Sequence, residues 1–511
     1  MNGTDSWVYR LTDKYIMLML AVFPLFTGFE GYTSITEYKY GMFLAATAAW
    51  LLPIVWYVFR YLFLKRKLAV HMSAAQWSAL AFFAASAVSA VLSPYSESVV
   101  IGAGRYDGLL TLALYCGIFL GVSAFGEPRR KYVLIFAASM LLCSAVAIFQ
   151  LFGKNALSLF PDNLNFYDGN TDYTGEFLGT IGNTNLLSGA LCLLIPLCIM
   201  SVVTWEKSGW YALLLAGAGA GMFVLCASGV AGGAVALAMF AAAALILLLR
   251  SGERVMKTAL ALFPTGLCAA AGISMTHVYE HRALTLGFNF KLFALLCCAV
   301  TAVCAVLYAF GWISRNRLTA HGYSAVFAAA VGAVILAGLA VIYSWPGEQG
   351  TLYEFSQVLH GNISDKFGSS RVRIWRAVLG IIPERPLLGG GPDTLALRLD
   401  IEFTRYIEEL NFTRVTYVDN AHNEYLGYLA NLGALGLAAY VSIMVCSAVR
   451  MVKTRDVSGI LPGIGCAVLC YWAEGLFGLG LCITAPLFWI LWGLFESRTK
   501  GSTAEKENDG V

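Results

Sequence analysis

Four polar clusters stand out in a chain that is otherwise apolar. The densest is Phe367-Gly-Ser-Ser-Arg-Val-Arg-Ile-Trp-Arg376. Ser369 or Ser370 reads as a helix N-cap, which puts Arg371 and Arg373 in the first turn and Arg376 one turn on. Cations at a helix start oppose the macrodipole, at about 0.3–1 kcal/mol each. A sequence that accepts this cost is preparing an anion site, because free backbone N–H groups and guanidinium forks both suit a phosphate. The plainer reading is that these arginines face headgroups or water.

The second cluster is Asp419-Asn-Ala-His-Asn-Glu-Tyr425. His422, beside two carboxylates at the lip of an apolar run, suits a proton acceptor near neutral pH. It could equally cap the following helix, and Asp419 and Glu424 are the spare candidates for the base. A third, Gly102-Ala-Gly-Arg-Tyr-Asp-Gly108, offers Arg105 as a further phosphate contact or as half of an Arg–Asp pair. The fourth, Gly179-Thr-Ile-Gly-Asn-Thr-Asn185, offers Asn183 and Asn185 to sugar hydroxyls, or as ordinary cap residues. Glu474 adds an ionisable group at or near membrane depth, functional by default unless it is hydrated at a hairpin tip. No phosphate-binding Walker loop, paired-histidine zinc motif or Gly-x-Ser-x-Gly elbow occurs, so neither an ATP-driven pump nor a serine hydrolase is supported.

The elements that must hold these residues are membrane spans. Of 511 residues, 59% are hydrophobic and 13% charged, and the mean hydropathy is +0.69, far from the balance of a soluble domain. No basic stripe interleaved with aromatics supports nucleic-acid binding. All thirteen cysteines lie in apolar runs, so neither a disulfide framework nor a metal site is indicated. At about 20 apolar residues per span, candidates cover approximately 15–34, 41–63, 75–92, 108–125, 132–152, 184–204, 210–228, 229–249 and 256–276. Others cover 290–312, 322–344, 424–447, 458–473 and 480–496. The expectation is an all-α transmembrane bundle of about 12–14 spans. Residues 1–344 form its first eleven helices, 345–421 a long, partly helical outer loop, 422–497 the C-terminal helices and 498–511 a disordered cytoplasmic tail. Within the loop, a charged helical stretch is expected to run through Leu410.

With these clusters in this order, the chain resembles the O-antigen ligase/polymerase family of membrane glycosyltransferases. The resemblance runs from about Ser93 to Phe495. Its residues are Gly104-Arg-Tyr-Asp-Gly-Leu109, Gly179–Asn185, Ser370–Arg376 and Arg385-Pro-Leu-Leu-Gly-Gly-Gly-Pro392. With them go Ala421-His-Asn-Glu-Tyr-Leu426, Asn431-Leu-Gly-Ala-Leu-Gly436 and Gly478…Thr484-Ala-Pro-Leu-Phe-Trp489. It implies a transferase that takes a glycan from a polyprenyl-diphosphate carrier to a glycan, lipid or protein acceptor. The reaction occurs on the outer membrane face, without nucleotide, cofactor or metal ion. By motif, Arg371 then holds the diphosphate and His422 activates the acceptor, with Arg373, Arg376, Arg105, Asn183, Asn185 and Asn423 as binding candidates. One departure is plain. Many members carry a Ser-Arg-Gly segment near Cys226–Gly233, whereas here Ala-Ser-Gly-Val-Ala-Gly-Gly has no arginine. Either Arg105 takes over or the donor is held differently.

That chemistry agrees with the residues. A diphosphate leaves readily if its departing charge is stabilised, a base helps the acceptor hydroxyl attack, and direct displacement inverts the anomer. The alternative is a transporter or flippase of a lipid-linked anion, which keeps its charges near the midplane on broken helices.

Orientation follows from Lys and Arg. Short loops on one side carry fifteen, from Lys65–Lys67 to Arg450, Lys453 and Arg455. Those on the other carry five: Lys39, Arg105, Lys154, Arg282 and Lys291. Both termini are expected in the cytoplasm and the 345–421 loop outside. A membrane-impermeant thiol reagent should therefore label cysteines placed in that loop in intact cells; labelling confined to inside-out vesicles would reverse the topology.

Overall fold

The computed structural model describes residues 6–64, 72–160, 177–205, 208–248, 252–278, 281–284, 351–407, 412–453 and 459–497, with short pieces between 291 and 347. Nine helices come first: α1 Ser6–Ala21, α2 Ile35–Phe59, α3 Ala74–Val91, α4 Leu109–Phe125, α5 Arg130–Leu151, α6 Thr184–Thr204, α7 Tyr211–Ser228, α8 Ala231–Leu248 and α9 Gly252–Ile273. The long loop supplies α10 Thr351–Leu359 and α11 Phe367–Ile381. Then come α12 Glu424–Lys453, α13 Leu461–Glu474 and α14 Ala485–Glu496. Among the described residues, seven helices are long and apolar enough to cross a membrane and four apolar helices are shorter. The protein is an all-α, polytopic membrane protein. The expected spans at 290–312 and 322–344 lie largely outside the described residues.

The centre of the bundle is α6. It is apolar on every face, so it has no side to give to water, and every residue from Leu186 to Thr204 is buried. The last helix, α14, is buried along its whole length as well. With α13 it forms a hairpin of 14- and 12-residue helices. At 1.5 Å per residue these reach about 21 and 18 Å, short of a hydrocarbon core of about 30 Å. Glu424 N–H donates to Gly475 O at 2.8 Å, which ties the connection through residues 475–484 to the start of α12.

The other irregularity is in α12. Gly433 has φ 69° and ψ −173°, a conformation essentially restricted to glycine, and it interrupts the helical ladder. The stranded backbone groups find partners in a strap, residues 385–392. Gly390 N–H donates to Ala430 O (3.1 Å) and Gly391 N–H to Asn431 O (2.8 Å), while Ala434 N–H donates to Pro386 O (2.8 Å) and Leu435 N–H to Leu387 O (3.2 Å). The end of α3 clamps the strap from behind, with Ser89 Oγ donating to Leu388 O (2.5 Å) and Ser93 Oγ to Gly390 O (2.5 Å). Glycine is needed because the backbones touch: a Cβ at Gly433 would lie 2.2 Å from the Leu387 carbonyl carbon.

Three expectations change. The stretch expected to be helical through Leu410 is instead an antiparallel hairpin, β3 Glu402–Ile407 with β4 Phe412–Tyr417, paired from Glu402↔Tyr417 to Ile407↔Phe412. Its Phe, Tyr, Thr, Val and Ile content suits a strand better than a helix. A second hairpin pairs β1 Met275–Val278 with β2 His281–Leu284. Neither Ser369 nor Ser370 caps α11, which starts at Phe367 behind Lys366 without a side-chain cap. Gly368 and Ser370 take left-handed φ of 61° and 66°, so regular right-handed helix resumes at Arg371. Lys39, assigned to an outer loop, is buried in α2, where its ammonium donates to Phe23 O (2.9 Å) and Pro24 O (3.3 Å) beyond the end of α1.

Gly433→Ala combines a forbidden backbone with a backbone collision. The strain alone is of order 1–3 kcal/mol, so the variant should unfold at a clearly lower temperature in detergent. Gly427→Ala, in the same helix with nothing within 4 Å of the added methyl, is the matched control. Equal melting of the two variants would show that the strap does not depend on Gly433.

Candidate active site

Arg371 and His422 arrive from opposite ends of the long loop. A small core of Ile374, Val378, Leu395, Leu399, Ile401, Val418, Ala421 and Ala430 packs α11 against the end of the loop and the start of α12. Trp375 Nε1–H donates to Ala421 O at 3.0 Å, tying α11 to the residue before His422. From the first regular turn of α11, Arg371 reaches α6. Its Nη1 donates to Gly368 O (3.0 Å) and its Nη2 lies 3.4 Å from Asn185 Oδ1, while its Nε is buried with no partner among the described residues. Burial lowers its pKa. A buried guanidinium N–H without an acceptor is costly, and a phosphate oxygen would satisfy it.

His422 has φ 48°, a left-handed conformation that costs a non-glycine residue about 1–2 kcal/mol. Asn420 holds it there by accepting its backbone N–H (3.0 Å). The histidine does not cap α12. Asn423 does, its Oδ1 accepting Leu426 N–H at 2.9 Å. His422 Nδ1 is buried and unpartnered among the described residues. Burial first, then the positive charge of Arg371, pushes its pKa down to about 4, against a smaller opposing pull from Asp419. The ring is therefore neutral at pH 7 and able to accept a proton. It is a weaker base than an ordinary histidine.

The Gly102–Gly108 turn makes the adjoining wall. Asp393, just past the strap, gathers it: Oδ2 accepts N–H bonds from Arg105 (2.9 Å), Gly104 (3.3 Å) and Asp107 (3.3 Å). Burial raises the Asp393 pKa, and these bonds oppose the rise. Arg105 Nε pairs with Asp419 Oδ2 at 2.6 Å, so the pair expected from the motif forms, with a different aspartate than its own Asp107. Asp107, Asp393, Asp419, Asn423, Glu424 and Asn431 help to line a cavity of about 60 Å³ here.

The structure thus brings together Arg371, Asn185, His422, Arg105 and Asp419. Other candidates turn elsewhere. Arg373 lies over the Phe403 ring, 5.2 Å from its centroid. Arg376 makes an exposed pair with Asp365 at 2.5 Å. Asn183 caps α6, its Oδ1 accepting Asn185 and Leu186 N–H, as Asn423 caps α12. Glu424 faces inward and accepts from Tyr440 Oη (2.8 Å). The segment lacking the family's arginine packs closely, since a Cβ at Gly232 would meet Phe477 at 2.9 Å and one at Gly233 would meet Ser188 Oγ at 2.5 Å. Asp393 and Trp375 were missed in the sequence. Asp393 follows the Gly-Gly-Gly-Pro run directly, but its partners lie nearly 290 residues away.

Asp393→Ala should lower thermal stability by about 1–3 kcal/mol, the cost of stranding buried donors. Asp393→Asn, which keeps an accepting oxygen, should lose less. Identical losses would mean that the carboxylate does not hold the turn.

Comparison with known proteins supplies one match: the family described as O-Antigen ligase covers residues 294–441. That is well under half of the chain and narrower than the Ser93–Phe495 likeness of motifs, but it includes both Arg371 and His422. No curated protein and no solved structure matches the chain. Residues 294–441 are therefore similar to the O-antigen ligase family.

Proposed function

We propose that this protein is a membrane glycosyltransferase that moves a glycan from a polyprenyl-diphosphate carrier to an acceptor hydroxyl at the outer face of the cytoplasmic membrane, inverting the anomeric centre. One observation carries the reading: within the matched segment, a buried guanidinium with an unused N–H sits at the membrane lip beside a neutral histidine. Arg371 binds the diphosphate and stabilises the charge that develops as it departs. His422 accepts the proton of the attacking hydroxyl. Asn185 steadies the guanidinium. Arg105 stands at the edge of the site and, being paired with Asp419, makes a lesser contribution.

A transporter of the same lipid-linked anion is the weaker reading. Broken helices in transporters leave backbone groups free for cargo, whereas the break in α12 is filled by the strap. The reading also carries the proposed topology: cytoplasmic termini, loop 345–421 outside, and the residues after 497 as a cytoplasmic tail.

The test is transfer by the purified protein from a lipid-linked glycan, with a second lipid-linked glycan, a lipid core and a protein offered in turn as acceptor. Arg371→Lys should not restore the activity lost in Arg371→Ala, because lysine offers a point charge without the fork. His422→Gln should lower turnover about 10²–10⁴-fold with donor binding nearly intact. The proton acceptor must be deprotonated, so kcat/KM for the donor should fall with acid through about pH 4, the value to which the free ring is pushed. Bound diphosphate neutralises the Arg371 charge, so the acid limb of kcat should lie at higher pH. Both limbs should vanish in His422→Gln; an acid limb that survives assigns the proton to another group.

A further inference from the structure

Glu474 ends α13 and is 2% exposed, in place of the hydrated hairpin tip that its sequence position allowed. Its Oε1 is buried and has no hydrogen-bond partner among the described residues. Space for the carboxylate is made on purpose. A Cβ at Gly478 would lie 2.3 Å from both of its oxygens, and one at Gly189 would lie 3.4 Å from Oε2. Gly189 is one helical turn below Asn185 on the same face of α6, and Asn185 is the residue that Arg371 reaches. Arg371 and Glu474 therefore approach one face of one enclosed helix at successive turns. Each carries a buried atom without a partner, and their charges are opposite. Around Glu474, Glu424 is the neighbouring like charge and Arg371 the compensating one. Buried charge is tolerated when it is paired, and among the described residues Glu474 is the carboxylate that acts on Arg371.

We propose that Glu474 is a positioning residue: its buried carboxylate draws Arg371 against α6 and holds the guanidinium where the donor's diphosphate is gripped. This rests on the transferase reading above. The carboxylate does not touch the donor. It sets where the arginine waits, and the short α13–α14 hairpin delivers it to that depth.

The experiment uses the full chain in nanodiscs with a polyprenyl-diphosphate glycan. Glu474→Gln should weaken donor binding and donor kcat/KM about tenfold and leave the acceptor KM unchanged. Gly478→Ala, which keeps the charge but evicts the carboxylate, should do the same. In an Arg371→Ala background, Glu474→Gln should weaken donor binding no further. Wild-type donor binding in both single variants overturns the proposal, as does a tenfold effect that persists without Arg371, or tighter binding in Glu474→Gln. Thermal midpoints of the wild type, Glu474→Gln, Arg371→Ala and the double variant without donor separate this from a failed transferase reading. If no transfer occurs but the Arg371 and Glu474 substitutions are non-additive, the charge pair stands and the activity is wrong. Additive midpoints remove the pair itself.

Discussion

A peptide group in the bilayer core cannot turn to water, and this one constraint accounts for most of what is unusual here. A break in α12 strands the carbonyls of Ala430 and Asn431 and the N–H groups of Ala434 and Leu435, and the strap satisfies all four. The exchange locks the long loop onto the bundle. It places Asp393 under the Gly102–Gly108 turn, brings that turn to Asp419, and leaves α11 above α6. Gly433, Gly389 and the serines of α3 belong to the same device, although they lie far apart in sequence.

The electrostatics of the candidate site follow from its depth. Burial withholds water from Arg371 and His422 together. Two cations near one imidazole would be poor design for binding a proton, and they are good design for keeping the imidazole unprotonated. The arrangement also couples the groups. Negative charge placed on the arginine relieves the histidine and makes it a stronger base.

The apolar spans and the polar clusters were legible because apolar length and composition are local properties of a chain. So was the presence of Arg371 and His422 within such clusters. What could not be read was convergence. Nothing local sends Arg373 to an aromatic ring and Arg371 to α6, two residues apart on one helix. The hairpin after Ile401 was hidden because its charged residues imitate an exposed helix, while its pairing depends on a partner strand. The eight-residue strap read as a Pro/Gly-rich break, since the groups it satisfies lie some forty residues downstream.

The complete enclosure of α6 also bears on how the protein is made. A helix with no polar face enters the bilayer readily, but it meets only lipid until its neighbours arrive. One of those neighbours, α13, is synthesised about 260 residues after α6, and it brings the loop that carries Gly478 with it. The site is thus a late product of assembly: its arginine is translated about a hundred residues before the helix that completes its surroundings. Until that hairpin inserts, the nascent protein is a membrane bundle whose candidate site still lacks one of its walls.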